Sequence, residues 1–226
     1  AVIAANLIRS PKQAEMQLEE GTQDFISLGR PLIADPHWPN KVKSGNENLI
    51  KRCVCCLYCF ESMMKGAYKY THGNCSVNPF VGRENVSLKQ NGNGRKVLII
   101  GAGCAGLTAA ELLSKRGFDV TVLEKESKQG GQLNLASKPP HKEKINWVCE
   151  DLLSNAINSG AKVLFNTKAD KDIIASYSPE IVITATGGNA IHPKSFNGDN
   201  VVTVTQVLNG SIDISNKKVA VIGSGM

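Results

Sequence analysis

The chain has 226 residues, of which 42% are hydrophobic and 20% charged, with a formal charge of +6. This is ordinary globular composition, enough for one or two domains, and it argues against disorder. The positive charge is spread over lysines such as Lys41, Lys43, Lys89 and Lys217 without an aromatic-interleaved basic stripe, so a solvated surface is expected and nucleic-acid binding is not.

No run approaches the roughly 20 consecutive apolar residues of a membrane helix, and no membrane partner is expected. The opening AVIAANLIRS has no basic leader or small-residue cleavage site, and the Cys residues are unevenly placed for a secreted disulfide scaffold. A reducing, cytoplasmic setting is expected. The first residue is not Met and the last segment, KKVAVIGSGM, stops inside a glycine-rich turn, so an internal fragment of a longer polypeptide is expected.

In chain order, Val2 to Ala5 reads as a short buried strand. Ser10-Pro11 then offers an N-cap followed by Pro at the first helical position, opening an amphipathic helix that stops at Gly21. Asp24 to Leu28 is the next strand, giving the rhythm of parallel α/β structure. A short helical region is expected near Asn46 to Lys51, then a cysteine-rich segment, then a linker at Gln90 to Arg95. A second α/β region starts with the strand KVLII at Lys96, a glycine turn, a helix Ala105 to Arg116 stopped by Gly117, and the strand DVTVLE. A helix around Ile145 to Asn158, with Gly160 at its end, precedes strands KVLFN and EIVITATGG. KVLIIGAG at 96–103 is echoed by KVAVIGSG at 218–225.

GAGCAG at 101–106 has the GxGxxG spacing in its proper context, after an apolar strand and at the start of a helix. Gly101 permits the tight turn, Gly103 lets a pyrophosphate approach the backbone, and Gly106 lets helix and strand pack closely. The helix N-terminus supplies free N–H groups and the positive end of its dipole. Glu124 ends the next strand and is expected to accept from a ribose 2′-hydroxyl. The motif alone leaves FAD and NAD open. The echo suggests a second dinucleotide, so one flavin and one nicotinamide nucleotide are expected.

Cys53, Cys56 and Cys59 form CxxCxxC, and Cys75 follows in NCSVNP. The spacing suits an iron-sulfur cluster with one ligand from a distant loop. Structural zinc favours two separated CxxC pairs, and zinc or unligated thiols stay open as alternatives. Cys55 is surplus and is expected to pack beside the cluster. Cys104 and Cys149 are expected to be buried small hydrophobes.

The strand DFISLGR followed by GRPLIADPHWPNK is built like the phosphate site of a TIM barrel. Together with CVCCLYC, NCSVNP, GAGCAG, GGQLNLAS at 130–137 and ATGG at 185–188, it makes the chain resemble the NADH:flavin oxidoreductase (old yellow enzyme) family. The resemblance is to its long iron-sulfur branch, which includes 2,4-dienoyl-CoA reductase, enoate reductase, bile-acid-type enoyl oxidoreductases and trimethylamine dehydrogenase. It covers essentially the whole chain.

The implied fold is α/β: the end of an FMN-binding barrel at 1–50, an iron-sulfur segment at 51–90, a disulfide-reductase-like FAD domain at 91–216, and the start of an NAD(P)-binding domain at 217–226. By position, the resemblance gives FMN to Gly29 and Arg30, helped by Asn6 and Leu7, where the family often has Gly-Gly. It gives a [4Fe-4S] cluster to Cys53, Cys56, Cys59 and Cys75. FAD falls to Gly101, Gly103, Ala105, Gly106, Glu124 and Gln132, and NAD(P)H to Gly223 and Gly225. The implied activity passes electrons from NAD(P)H through FAD and the cluster to FMN, which reduces the activated C=C bond of a small substrate. The alternatives are amine oxidation of the trimethylamine dehydrogenase type and a module for electron transfer or nucleotide binding with no chemistry of its own. No catalytic acid is named, since in this family it lies on earlier barrel strands.

Overall fold

The computed structural model describes residues 1–5, 8–67, 71–189, 196 and 198–223. Its first layer is a pair of short parallel strands, β1 (Ile3–Ala5) and β2 (Phe25–Ser27), paired Ile3 to Phe25 and Ala5 to Ser27. They are joined by α1 (Pro11–Glu19), which begins where expected: the Ser10 hydroxyl accepts from the Gln13 N–H at 3.2 Å, and Pro11 opens the first turn. Two short helices follow, α2 (Arg30–Ala34) and α3 (Trp38–Lys43). The helical region expected before the cysteines is a single 3₁₀ turn at Glu47–Leu49. Ile8, Ala14, Trp38 and Ile50 form the small core beneath these elements.

The cysteine segment runs into a helix that the sequence reading did not anticipate, α4 (Tyr58–Ala67), so Cys59 lies in a first helical turn. The expected linker at 90–95 has no regular structure but is packed: the N–H groups of Gly92 and Gly94 donate to the carbonyls of Arg116 and Gly117, both at 2.8 Å.

The second layer is a four-stranded parallel sheet in the order β5-β4-β3-β6. Its strands are β3 (Lys96–Ile100), β4 (Asp119–Leu123), β5 (Lys162–Leu164) and β6 (Ile181–Thr184). The first strand in sequence lies at an inner position and the chain winds outward in both directions, as in a Rossmann half. Helices α5 (Cys104–Lys115) and α7 (Ile145–Asn158) cross over, with a short α6 (Leu133–Ala136) between β4 and α7. Val97, Ile99, Val120 and Val122 pack on Leu107, Ala110 and Ala156 to form the main core. Two more helices, α8 (Lys171–Tyr177) and α9 (Val204–Leu208), flank β6 in sequence. The apolar echo at 218–222 forms no strand; Val221 and Ile222 are largely exposed, because a strand needs a neighbour to take its N–H and C=O groups. Among the described residues no helix is long and apolar enough to cross a membrane.

Candidate functional site

After β2 the chain turns through Gly29 into Arg30 and α2. Gly29 and Arg30 line a cavity of about 330 Å³, together with Arg9, Ser27, Cys53 and Cys55. The expected phosphate-site residues therefore share a wall with the first cysteine of CxxCxxC. Asn6 and Leu7 lie outside the described residues. Arg9 was missed by the sequence reading; it reaches this cavity, with an Nε that is buried and has no partner among the described residues. Its one legible signal is a cation in the loop that follows a strand.

The cysteine segment folds through two residues in left-handed conformation, Cys55 at φ 58° and Leu57 at φ 60°. The turns bring it against the loop that carries Cys75. Cys56 Sγ lies 2.9 Å from Ser76 Oγ, and Ser62 Oγ receives the Asn74 N–H at 2.8 Å. Asn78 pins the same loop to α2, its amide donating to Ile33 O at 2.9 Å while its Oδ1 accepts from the Phe80 N–H at 3.0 Å. Burial pushes the Cys75 thiol up; the N–H groups of Val77 and Asn78 pull the other way, and Cys56 and Cys59 add to the rise. Cys53 is pushed up by burial first, with the Cys55 backbone opposing, the Cys55 thiol adding to the rise and Arg30 opposing.

All four cysteines are free thiols: Cys59 buried, Cys53 and Cys75 half-buried, Cys56 exposed. Among the described residues, no three Cys, His, Asp or Glu side chains are gathered so as to hold a metal ion. The donor chemistry nevertheless fits a sulfur-bound cluster. Cys56 and Cys59 neighbour Cys75, backbone N–H groups point at the Cys75 sulfur, and Cys53 stands on the cavity side of the same segment.

The glycine turn is sterically demanding. A Cβ on Gly106 would stand 1.9 Å from Gly101 O, and one on Gly101, at φ 109°, 2.5 Å from Ala185 O. A Cβ on Gly103 would meet nothing within 4 Å, so the space above this residue is open to a ligand. Ala105 lies exposed in the first turn of α5. Glu124, just beyond β4, is buried, and its two oxygens accept from the N–H groups of Ala102 at 2.7 Å and Glu126 at 2.9 Å. The carboxylate thus braces the turn. Gly130 N donates to Ala102 O at 2.9 Å, and the Gln132 amide to Gly188 O at 2.7 Å. Gly101, Gly103, Gly106, Glu124 and Gln132 therefore meet at the carboxyl ends of the sheet strands, where dinucleotides bind in such sheets.

Gly223 has φ 98° in an exposed, irregular stretch, and Gly225 lies outside the described residues. Of the two cysteines read as buried, Cys149 is so, and burial pushes its thiol up to about 11. Cys104 is exposed, a correction: it is the first residue of α5, at the mouth of the glycine turn.

Sequence reasoning also missed how the segments are joined. Lys51 Nζ reaches both oxygens of Glu111 on α5, at 3.1 and 2.9 Å, and Lys115 reaches Glu111 at 2.5 Å. Arg52 bonds Asp151 and Glu150 on α7 and stacks over Trp147, its guanidinium carbon 5.2 Å from the ring centre. Apart from the i,i+4 pair of Glu111 and Lys115, these partners are too distant in sequence to leave a local pattern.

Residues 1–48 match the model of the NADH:flavin oxidoreductase / NADH oxidase family, and residues 99–180 match an NAD(P)-binding Rossmann-like domain. The NADH oxidase of Thermoanaerobacter brockii is 37% identical over 233 residues, covering 100% of this chain and 35% of that protein. The chain belongs to the NADH:flavin oxidoreductase / NADH oxidase family. As a member of this oxidoreductase family it goes with flavin and nicotinamide cofactors. The solved structure of a 2-naphthoyl-CoA reductase with 2-naphthoyl-CoA superposes with a TM-score of 0.81 at 31% identity, covering 90% of this chain and 31% of that one. The N,N-dimethylglycine/sarcosine dehydrogenase of Chromohalobacter salexigens is 29% identical over 221 residues, 94% of this chain and 32% of that protein. The chain spans about a third of the length of the curated relatives it matches.

Proposed function

We propose that this chain carries the electron-input side of a flavin-dependent reductase that takes hydride from NAD(P)H and reduces an activated C=C bond of an enoyl-type substrate. The observation that carries the reading is the cavity that Gly29 and Arg30 share with Cys53, on a segment packed against the dinucleotide fold. In this reading residues 1–50 are the end of a barrel, 51–90 the iron-sulfur segment, 91–216 the FAD domain and 217–226 the start of an NAD(P) domain. The exposed apolar side chains of Ile3 and Phe25 on the β1-β2 pair, with Val2 just before it, are what unpaired barrel strands would present.

When bound, FAD and FMN supply two-electron chemistry and a [4Fe-4S] cluster supplies single-electron transfer between them. The residues themselves have defined tasks. Arg30 and the Gly29 backbone would hold the FMN phosphate, with Arg30 offering a planar fork to the anion. Cys53, Cys56, Cys59 and Cys75 would be the cluster thiolates, with the Val77 and Asn78 N–H groups tempering the charge on Cys75. At the dinucleotide turn, the α5 N-terminus and the open face of Gly103 would receive the FAD pyrophosphate. Glu124, already oriented by two backbone N–H groups, would accept from the ribose 2′-hydroxyl, with Gln132 closing the far side. Gly223 and Gly225 would open the nicotinamide site.

The dehydrogenase relative motivates a second reading, in which the barrel flavin oxidises an amine. The structural similarity to the 2-naphthoyl-CoA reductase favours reduction. Anaerobic addition of NADH to the holoprotein separates the readings. The reductase reading predicts bleaching of flavin absorbance, reversed by an enoyl thioester. Bleaching by a secondary or tertiary amine, and not by NADH, would establish the amine reading. Zinc on metal analysis with no bleaching would mark a module without redox chemistry.

A further inference from the structure

We propose that Lys51 and Arg52 are positioning residues which, through Glu111 and Asp151, hold the thiol segment 53–59 at one fixed place against helices α5 and α7. For the identity of the group positioned, this rests on the iron-sulfur reading above; for the contacts it rests on the structure alone.

Two consecutive residues immediately before Cys53 are tied in three directions. The Lys51 N–H donates to Asp35 Oδ2 at 2.9 Å, on the β1-β2 side of the molecule, while its ammonium lies between the two oxygens of Glu111 on α5. The Arg52 N–H donates to Asp151 Oδ2 at 2.8 Å and its Nε–H to Asp151 Oδ1 at 2.8 Å, both on α7. Just upstream, Leu49 O accepts from Lys41 Nζ at 2.6 Å and from the Asn155 amide at 3.2 Å. The chain entering the cysteine segment is thus held by its own peptide groups as well as by side chains. A main-chain amide bonded on each side cannot swing away as an exposed side chain does.

Burial makes the pairing obligatory. Exposed ion pairs exchange freely with water and hold little. Here the Glu111 side chain is 2% exposed and that of Asp151 is 9%, so either acid without its partner would be a buried, uncompensated charge. The signs balance: Lys51, Lys115 and Arg52 face Glu111, Glu150 and Asp151. Apolar packing would join the segments too, but it tolerates sliding. Forked charge pairs with satisfied hydrogen bonds accept one register, which a fixed electron-transfer distance requires.

The test uses the holoprotein with Glu111→Gln and Asp151→Asn, and Lys65→Ala as the control, since Lys65 belongs to an exposed pair on α4. Two signals are followed: hydrogen exchange of the 51–59 amides, and single-turnover rates for flavin bleaching by NADH and for subsequent loss of iron-sulfur absorbance. Flavin bleaching should stay within about twofold, iron and sulfide content should hold, exchange at 51–56 should quicken at least tenfold, and iron-sulfur reduction should slow at least tenfold; the control should change neither. Unchanged exchange in both variants would overturn the proposal, and so would equal slowing of both redox steps, which marks a general structural role. If Asp151→Asn does not fold, Arg52→Lys, which keeps the charge but loses a prong, carries the same expectations. Absence of iron from the unaltered holoprotein would overturn the cluster reading, and exchange would still decide the clamp.

Discussion

Arg52 and Asp151 meet twice: the backbone N–H and the Nε–H of Arg52 donate to different oxygens of one carboxylate, both at 2.8 Å, across 99 residues of chain. The bond joins the cysteine segment to the dinucleotide fold. Asp151→Ala removes two charge-assisted bonds and leaves the Arg52 guanidinium with Glu150 as its one acidic partner, so a loss of roughly 2 kcal/mol is expected. Urea unfolding monitored by tryptophan fluorescence measures it; a change below about 0.5 kcal/mol would show that the pair is only a surface contact.

Glu111 makes stability depend on acid. Burial pushes its carboxyl up, but Lys51 and Lys115 outweigh that and hold it below the ordinary value. Because the folded pKa is the lower one, the contribution is complete above the unfolded value of about 4.3 and is lost as pH falls through the folded pKa. Glu111→Gln should therefore cost about 1–3 kcal/mol at neutral pH. The gap between variant and parent should close below about pH 4. Urea midpoints measured across that range check it, and a constant gap would contradict the ion-pair account.

The glycine turn separates folding from binding. Gly106→Ala drives a methyl into Gly101 O and should destabilise by about 3 kcal/mol, with loss of bound flavin. Gly103→Ala meets open space, so the melting temperature should hold while FAD retained through purification falls. Equal effects of the two substitutions on melting would contradict these separate roles.

Cys55 and Cys56 are adjacent but should respond in opposite ways. Cys55→Ser should leave iron content intact, and Cys55→Gly should stabilise the fold by about 1 kcal/mol by relieving the left-handed backbone at φ 58°. Cys56→Ser should abolish the iron-sulfur absorbance. Iron retained in Cys56→Ser would overturn the ligand assignment.

Much of this architecture was legible in local pattern. The apolar run 96–100, the GxGxxG spacing and Glu124 placed β3, the turn and β4 where they lie, and the helix read around Ile145 to Asn158, ahead of Gly160, is α7. Helix α4 was hidden because Cys59, in its first turn, belongs to a motif that suits a ligand loop as well as a helix. The echo at 218–222 repeats the apolar run of β3 without forming a strand, since such a run supplies a strand's faces but not the neighbour that pairs its backbone. Lys51, Arg52, Glu111 and Asp151 were unreadable because pairs so far apart in sequence have no period. The acidic residue after β4 was legible at Glu124, but its bracing bond to Ala102 became visible only in three dimensions.

The most direct test of the central claim is cofactor analysis of the holoprotein purified without oxygen. The account predicts FMN and FAD in equal amounts, together with iron and acid-labile sulfide in equal amounts. FMN without FAD, or zinc in place of iron, would contradict it.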